Sequence, residues 1–249
     1  LGLLLLSLSK VWSFSVLPDA YTFAHYGTVF RDSAQMMINT LLYCGGAALL
    51  DVIIGTAVAY LVLRTSLPGR QWLDHMSTVA LAMPGVVLGI GYLRSFRDVD
   101  LPLGLGPLLG SSLVFILAYS VRRLPYVVRS AAAGFQQTSV TLEEAAQNLG
   151  CPPLRTLRKI TIPLIAANLL AGGLLAFSFA MLEVSDSLIL AQKQQDFPIT
   201  KAIYELYQLL GEGRFVASAL GVWAMAFLGV TIAGLTLLLG RKLGAIFRV

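Results

Sequence analysis

An all-helical protein threaded several times through a membrane is the fold this sequence predicts, and three observations predict it. Of its 249 residues, 57% are hydrophobic and only 12% are charged, about half the roughly 25% charge of a soluble domain; mean hydropathy is +0.77. Apolar runs of about 20 residues recur along the chain, the length an α-helix needs to cross the hydrocarbon core. Lys and Arg collect at the ends of those runs. The last point also accounts for the net charge of +5, which follows membrane topology and forms no face for nucleic acid. A soluble protein with an unusually large core is the alternative that these runs argue against.

Leu1 to about Leu8 reads as the outer end of a first span, truncated either inside that helix or within a longer polypeptide. It lacks the basic start and small-residue cleavage site of a signal peptide. Lys10 to Gln35, with Trp12, Phe14, Tyr21, Phe23 and Tyr26, suits an external loop near the lipid headgroups. Met36 to Leu63 is the next span, stopped by Arg64 and a Ser66-Leu67-Pro68-Gly69-Arg70 turn. Gln71 to about Leu93 follows, broken at Met83-Pro84-Gly85 and loosened at Gly89 and Gly91, because proline gives the helix ladder no amide and glycine permits close packing. Pro84 and Gly85 are thus a candidate gate hinge, or simply part of a small-residue packing face. Arg94 to Pro107 is a Gly/Pro-rich loop, and Leu108 to Val121 a span ending at Arg122-Arg123. A polar stretch covers about residues 130–161, Ile162 to Leu190 re-enters the membrane, Ala191 to Gly213 is a polar loop, and Phe215 to Leu239 is the last span. With the stub counted, about six spans form one transmembrane domain over residues 1–249.

When the loops are assigned alternately to the two sides, 11 Lys and Arg fall on one side and 7 on the other. The first set is Arg64, Arg70, Arg122, Arg123, Arg129, Arg155, Arg158, Lys159, Arg241, Lys242 and Arg248, opposed by Asp74, Glu143 and Glu144. The second, Lys10, Arg31, Arg94, Arg97, Lys193, Lys201 and Arg214, meets as many acids: Asp19, Asp32, Asp98, Asp100, Asp196, Glu205 and Glu212. The first side is therefore expected to be cytoplasmic, with the 130–161 loop and the C-terminus inside the cell. Cys44 falls in a span and Cys151 in a cytoplasmic loop, so they are not expected to pair. His25 and His75 are isolated, and no metal-ligand set is assigned.

Within the polar stretch, Thr141 precedes Glu144 by three, the spacing of a capping box, and the two acids there suit the positive end of a helix. Leu142, Ala145, Ala146 and Leu149 recur at i, i+3, i+4 and i+7, an apolar stripe with small residues at its centre. Gly150 stands where a left-handed cap is wanted. Pro152-Pro153 then redirect the chain into a second short helix, about Leu154 to Ile160, before Pro163 opens the next span. Such a helix either offers its ridge to another protein or is a well-capped loop packed on its own chain.

Glu144-Ala145-Ala146, three residues, Gly150, nine residues, Ile160, one residue, and Ile162-Pro163 resemble the EAA loop of binding-protein-dependent ABC importer permeases. The usual pattern ends Leu-Pro, so Ile162 is the one departure, and it keeps the apolar character. Asn39-Thr40, the run Pro84 to Tyr92, Arg122-Arg123-Leu124-Pro125 and Glu183-Val184-Ser185-Asp186-Ser187 resemble the ferric-iron branch of that family. The resemblance implies a permease of the type I importer fold in a bacterial inner membrane, surrounded by lipid, with no role for nucleic acid. Its implied partners are two cytoplasmic ATP-binding subunits, a second permease half (identical or fused and homologous) and an external substrate-binding protein. It implies that Leu142, Glu143, Glu144, Ala145, Ala146, Leu149, Gly150, Ile160 and Pro163 carry the ATPase coupling. The chain itself would bind no cofactor and is not an enzyme: it has no Gly-x-x-x-x-Gly-Lys-Ser/Thr loop, and ATP is used by the partner subunits. The branch implies ferric iron as cargo, although thiamine, phosphonate, polyamine and oxyanion importers share the architecture.

Asp51, Glu183 and Asp186 lie within apolar runs, where an ionisable group costs several kcal/mol and usually faces a cavity or a partner. Glu183 and Asp186, three apart, are expected to share a helix face with Ser187, roughly 30 Å from the inner end of the span at ~1.5 Å per residue. Asp51, Glu183, Ser185 and Asp186 are therefore candidate translocation-pathway residues, since carboxylate oxygens suit a hard cation. The alternative for them is hydrogen bonding to neighbouring helices. A secondary transporter using these acids as an ion relay is the rival function, but it gives the capped helix no purpose. An intramembrane enzyme is the other, and no His-Glu-x-x-His or Gly-x-Ser-x-Gly motif is present.

Overall fold

The computed structural model describes residues 1–12, 15–104, 106–209 and 211–246, of which 103, 235 and 238–246 are described as backbone alone. Phe14 and Arg248 lie outside the described residues, and Arg241 and Lys242 are among those described as backbone. The chain begins with α1 (Gly2–Leu8) and an antiparallel pair, β1 (Ser9–Val11) and β2 (Ala20–Tyr21), with Ser9 opposite Tyr21. Next come α2 (Ala24–Asp32), α3 (Ala34–Arg64), α4 (Arg70–Ala82), α5 (Gly85–Ser95) and α6 (Ser112–Gln137). The polar stretch holds α7 (Val140–Asn148), α8 (Pro153–Thr156), a π-helical turn over Leu157–Thr161 and α9 (Ile162–Leu164). Then follow α10 (Ala166–Met181), α11 (Ser185–Leu190), α12 (Ile199–Gln208) and α13 (Gly213–Ile246).

Among the described residues, two helices are long and apolar enough to cross a membrane: α3 and the Gly213–Gly234 part of α13. Two broken pairs, α4 with α5 and the Pro153–Leu164 stretch with α10, pass the same test when each is taken as one span, giving up to four. About six were expected. The difference lies in α1, which is 7 residues long, and in α6, which carries Arg122, Arg123 and Arg129. The expected span ending at Val121 is thus the first part of a longer helix, because a charge ends an apolar run without ending a helix.

Packing divides the chain into two units. The first comprises residues 1–45, 85–118 and 181–236. Its apolar core joins Val29 of α2 to Ile199 and Ala202 of α12 and to Val216, Ala219 and Leu220 of α13. Ile199, Ala202, Ile203 and Leu206 follow helical spacing, so the expected polar loop from Ala191 to Gly213 contains an amphipathic helix. The expected external loop from Lys10 to Gln35 likewise contains the strand pair and α2. In this unit α11 packs on α5. Gly89 permits the approach, because a Cβ there would stand 3.0 Å from the Ile189 Cβ.

The second unit comprises residues 46–84, 119–180 and 237–249. Ala59, Ala131, Phe135, Ile165 and Leu169 form its core, and small residues set the helix spacing, as is common in membrane bundles. A Cβ on Gly55 would lie 2.9 Å from Val127 Cγ1, and one on Gly172 would lie 2.8 Å from Ser130 Cβ and 3.1 Å from Val127 Cα. Gly134 meets Ile165 in the same way, at 2.9 Å. The backbones of α3 and α10 therefore both run close to α6.

Candidate coupling surface and buried polar groups

Ser139 caps α7, its Oγ accepting from the Thr141 amide at 3.3 Å. The expected Thr141–Glu144 capping box is therefore not formed. The helix starts at Val140, which puts Thr141 inside its first turn and leaves Glu144 exposed. The other end is as expected. Gly150 adopts φ +84, its amide reaches the Gln147 carbonyl at 2.9 Å, and the Cys151 amide reaches the Ala146 carbonyl at 3.0 Å, the paired bonds of a left-handed glycine cap.

The expected apolar stripe divides between two faces. Leu142, Ala145 and Leu149 point outward, Leu149 being 90% exposed, while Ala146 turns inward beside Glu143. Leu154, beyond Pro152-Pro153, is also 82% exposed. A hollow of about 280 Å³ lined by Tyr60, Pro152, Pro153, Leu154 and Leu157 lies next to it.

Beneath α7 sits an ion pair that spacing did not reveal. Arg64, the last residue of α3, donates from Nε to Glu143 Oε1 at 3.2 Å and from Nη2 to the carbonyls of Phe135 and Thr138, both at 2.7 Å. The Arg64 and Glu143 side chains are only 9% and 8% exposed, and the guanidinium lies 5.7 Å from the Phe135 ring centre. The C-terminal carbonyls of α6 have no helical partners of their own, and an arginine fork there satisfies them and the negative helix end together. In the sequence, Arg64 stands as a stop signal and Glu143 as an expected docking contact. Glu143 instead faces inward. The available signal was a base ending one span and two adjacent acids on a short helix.

After α8 the chain widens into the π-helical turn, which carries half-buried Ile160, and Pro163 lies exposed in α9. Between Pro153–Leu164 and α10 the chain turns by 74°. Pro163 supplies no amide, and Ile165, at φ −95 and ψ 6, leaves helical geometry. The re-entrant helix consequently starts at Ala166, four residues later than expected, and the second short helix is a single α-turn followed by the π turn.

In the second unit, Asp51 is fully buried and accepts from the Ser120 hydroxyl at 2.5 Å. Arg123, three residues further along α6, donates from Nη2 to the Phe179 carbonyl at 3.0 Å. Asp51, expected as a pathway group, is thus held inside the bundle by α6.

In the first unit, the expected helix through Glu183 and Asp186 is broken at Leu182–Val184, so the two acids do not share a helix face. Glu183 Oε1 accepts from the Asp186 amide at 3.2 Å, at the start of α11, while the Thr200 and Ser187 hydroxyls bond the Glu183 carbonyl at 2.7 and 2.8 Å. Both acids are buried, and Ser185 is half-buried. Among the described residues no group of three or more His, Cys, Asp or Glu could hold a metal. Met83 is extended, as a residue before proline prefers, and Gly85, buried, starts α5. Asn39, singled out only for its resemblance, bonds the carbonyls of Gln195 and Phe197 at 2.6 and 3.2 Å, and Thr40 Oγ1 accepts from the Ile199 amide at 2.8 Å. Together they fasten the turn before α12 to α3.

Apolar helices broken at polar points, with a capped, stapled helix carrying an exposed apolar ridge, define a helical membrane protein with a surface for a partner. Residues 51–244 match the family of binding-protein-dependent transport system inner membrane components, and the chain belongs to that family. The ferric transport system permease protein FbpB of Actinobacillus pleuropneumoniae is 32% identical over 161 residues, covering 64% of this chain and 23% of that one. A putative FbpB of Haemophilus influenzae is 33% identical over 161 residues, covering 64% and 25%. The chain spans about a quarter of the length of these two relatives. The molybdate/tungstate transport system permease protein WtpB of Methanocaldococcus jannaschii is 25% identical over 242 residues, 95% of each chain. Among solved structures, a bacterial ABC transporter involved in alginate import superposes with a TM-score of 0.73 over 96% of this chain and 87% of that one, at 17% identity. The fold is shared.

Proposed function

We propose that this chain forms the translocation pathway of an ATP-driven importer and receives ATPase motion through α7. The observation that carries the reading is the exposed ridge of Leu142, Ala145 and Leu149 on a helix fixed at both ends. Such a ridge in water invites a protein partner. Two cytoplasmic ATP-binding subunits would dock on it, one per permease half, and an external binding protein would deliver cargo. The excess of Lys and Arg on the α7 side supports a cytoplasmic loop and C-terminus. ATP hydrolysis belongs to the partner subunits, and this chain works without a bound cofactor.

For cargo we favour ferric iron, supported by the two ferric permeases at 32% and 33% identity. A second reading, an oxyanion of the molybdate kind, is favoured by the end-to-end match to WtpB. The pathway is proposed to run by the broken helices, where Glu183 precedes α11 and Ser185 and Asp186 begin it, beside α5; Pro84 and Gly85 are proposed as a hinge. Discontinuous helices at membrane depth commonly mark such sites.

Proteoliposomes holding the permease and its binding protein, with and without the ATPase subunits, test the proposal. Uptake of radioactive iron or molybdate should require both ATP and the ATPase subunits. Uptake driven by an ion gradient alone would sink it. Ala at Glu183 and Asp186 together should lower uptake without lowering assembly, and unchanged uptake would remove both from the pathway.

A further inference from the structure

We propose that Arg64 is the positioning residue through which the coupling helix moves the transmembrane helix α3: the Arg64–Glu143 pair ties α7 directly to the end of α3. This rests on the coupling role proposed for α7 and adds the contact that transmits the motion. The nine residues of α7 bury only Glu143 and Ala146, so the inner face of the helix consists of one methyl group and one carboxylate. The methyl can slide over its neighbours, whereas the carboxylate is held by a directional bond to Arg64 Nε at 3.2 Å. The same guanidinium grips the Phe135 and Thr138 carbonyls at 2.7 Å. One side chain therefore locks the end of the 31-residue α3, the C-terminus of α6 and the first turn of α7 into a single joint.

The alternative route from α7 runs through α8 and the π turn, which α7 also touches. That route leads along the chain to α10 and has a 74° turn in it. The Arg64 joint reaches α3 without passing through that turn. Lysine could supply the charge but not the planar fork that serves three acceptors at once. In water the pair would count for little, but at 9% and 8% exposure each charge depends on the other.

The test uses the permease reconstituted with its ATPase subunits and a binding protein saturated with ferric iron, or with molybdate if iron does not bind. R64M/E143L removes both charges and keeps the volume apolar, so no buried charge is stranded. The double variant should retain the ATPase subunits while stimulation of ATP hydrolysis by the binding protein, and uptake, are lost. Wild-type stimulation in the assembled variant would overturn the proposal and leave the pair as packing alone. If the double variant fails to assemble, R64K decides, with lost stimulation in an assembled complex supporting the joint and full stimulation refuting it. If the wild-type chain itself recruits no ATPase subunit, the coupling role of α7 has failed, a result distinct from failure of the joint.

Discussion

Ser120 and Asp51 are joined by a 2.5 Å hydrogen bond that links α6 to α3 where neither side chain reaches solvent. The hydroxyl donates and the carboxylate accepts, so the bond satisfies one oxygen of a group that would otherwise be costly at this depth.

S120A should therefore destabilise the protein by about 1–3 kcal/mol, the penalty for stripping a buried acceptor of its donor. D51N, which keeps an acceptor oxygen, should cost less than D51A. Thermal unfolding of the detergent-purified chain measures both, and equal melting points for D51N and D51A would show that the bond contributes nothing.

Gly172 and Gly45 are both helical glycines in different surroundings. G172A brings a Cβ to 2.8 Å from Ser130 Cβ and 3.1 Å from the Val127 backbone, an overpacking expected to cost about 1–3 kcal/mol. Nothing lies within 4 Å of a Cβ at Gly45, so G45A should be neutral or gain up to about 1 kcal/mol from helix propensity. The same unfolding assay should rank them in that order, and a destabilised G45A beside an unaffected G172A would contradict the packing described for α6 and α10.

Much of this arrangement could be read in the sequence, and the exceptions have physical causes. Pro163 and Pro84 announce their breaks because each lacks the amide hydrogen that a helix needs, and Gly150 because the absence of a Cβ lets it take the left-handed conformation. Ser139 and Thr141 are both competent caps, and only the path of the chain leaving α6 decides between them. The break at Leu182–Val184 is hidden, since Leu and Glu are good helix formers and the apolar run continues through it. Arg122-Arg123 ends an apolar run while the helix continues to Gln137. The Arg64–Glu143 pair spans 79 residues of sequence, a relationship no local pattern records. The helical spacing of Ile199, Ala202, Ile203 and Leu206 was legible, but the polar residues between them obscured it.

Asp196 lies outside the spans, in the turn fastened by Asn39. Burial pushes its carboxyl up, against the opposing effects of Lys193 and a hydrogen bond from Gln195. The folded state thus holds a proton that the unfolded chain releases near pH 3.9, and stability should fall as pH rises through that range, then level off above the raised folded value. D196N removes the titration. Its stability relative to wild type should be greater at neutral pH than at pH 3, and a difference that does not vary with pH would contradict the assignment.

The outer residues of the α7 docking ridge can be changed at little cost to folding because Leu149 is 90% and Leu142 47% exposed. The direct measurement is retention of the ATPase subunits by the purified permease, comparing wild type with L142D/L149D at matched melting temperature. A wild-type chain that holds the subunits and a double variant that loses them is the predicted result. Undiminished retention by L142D/L149D would contradict it.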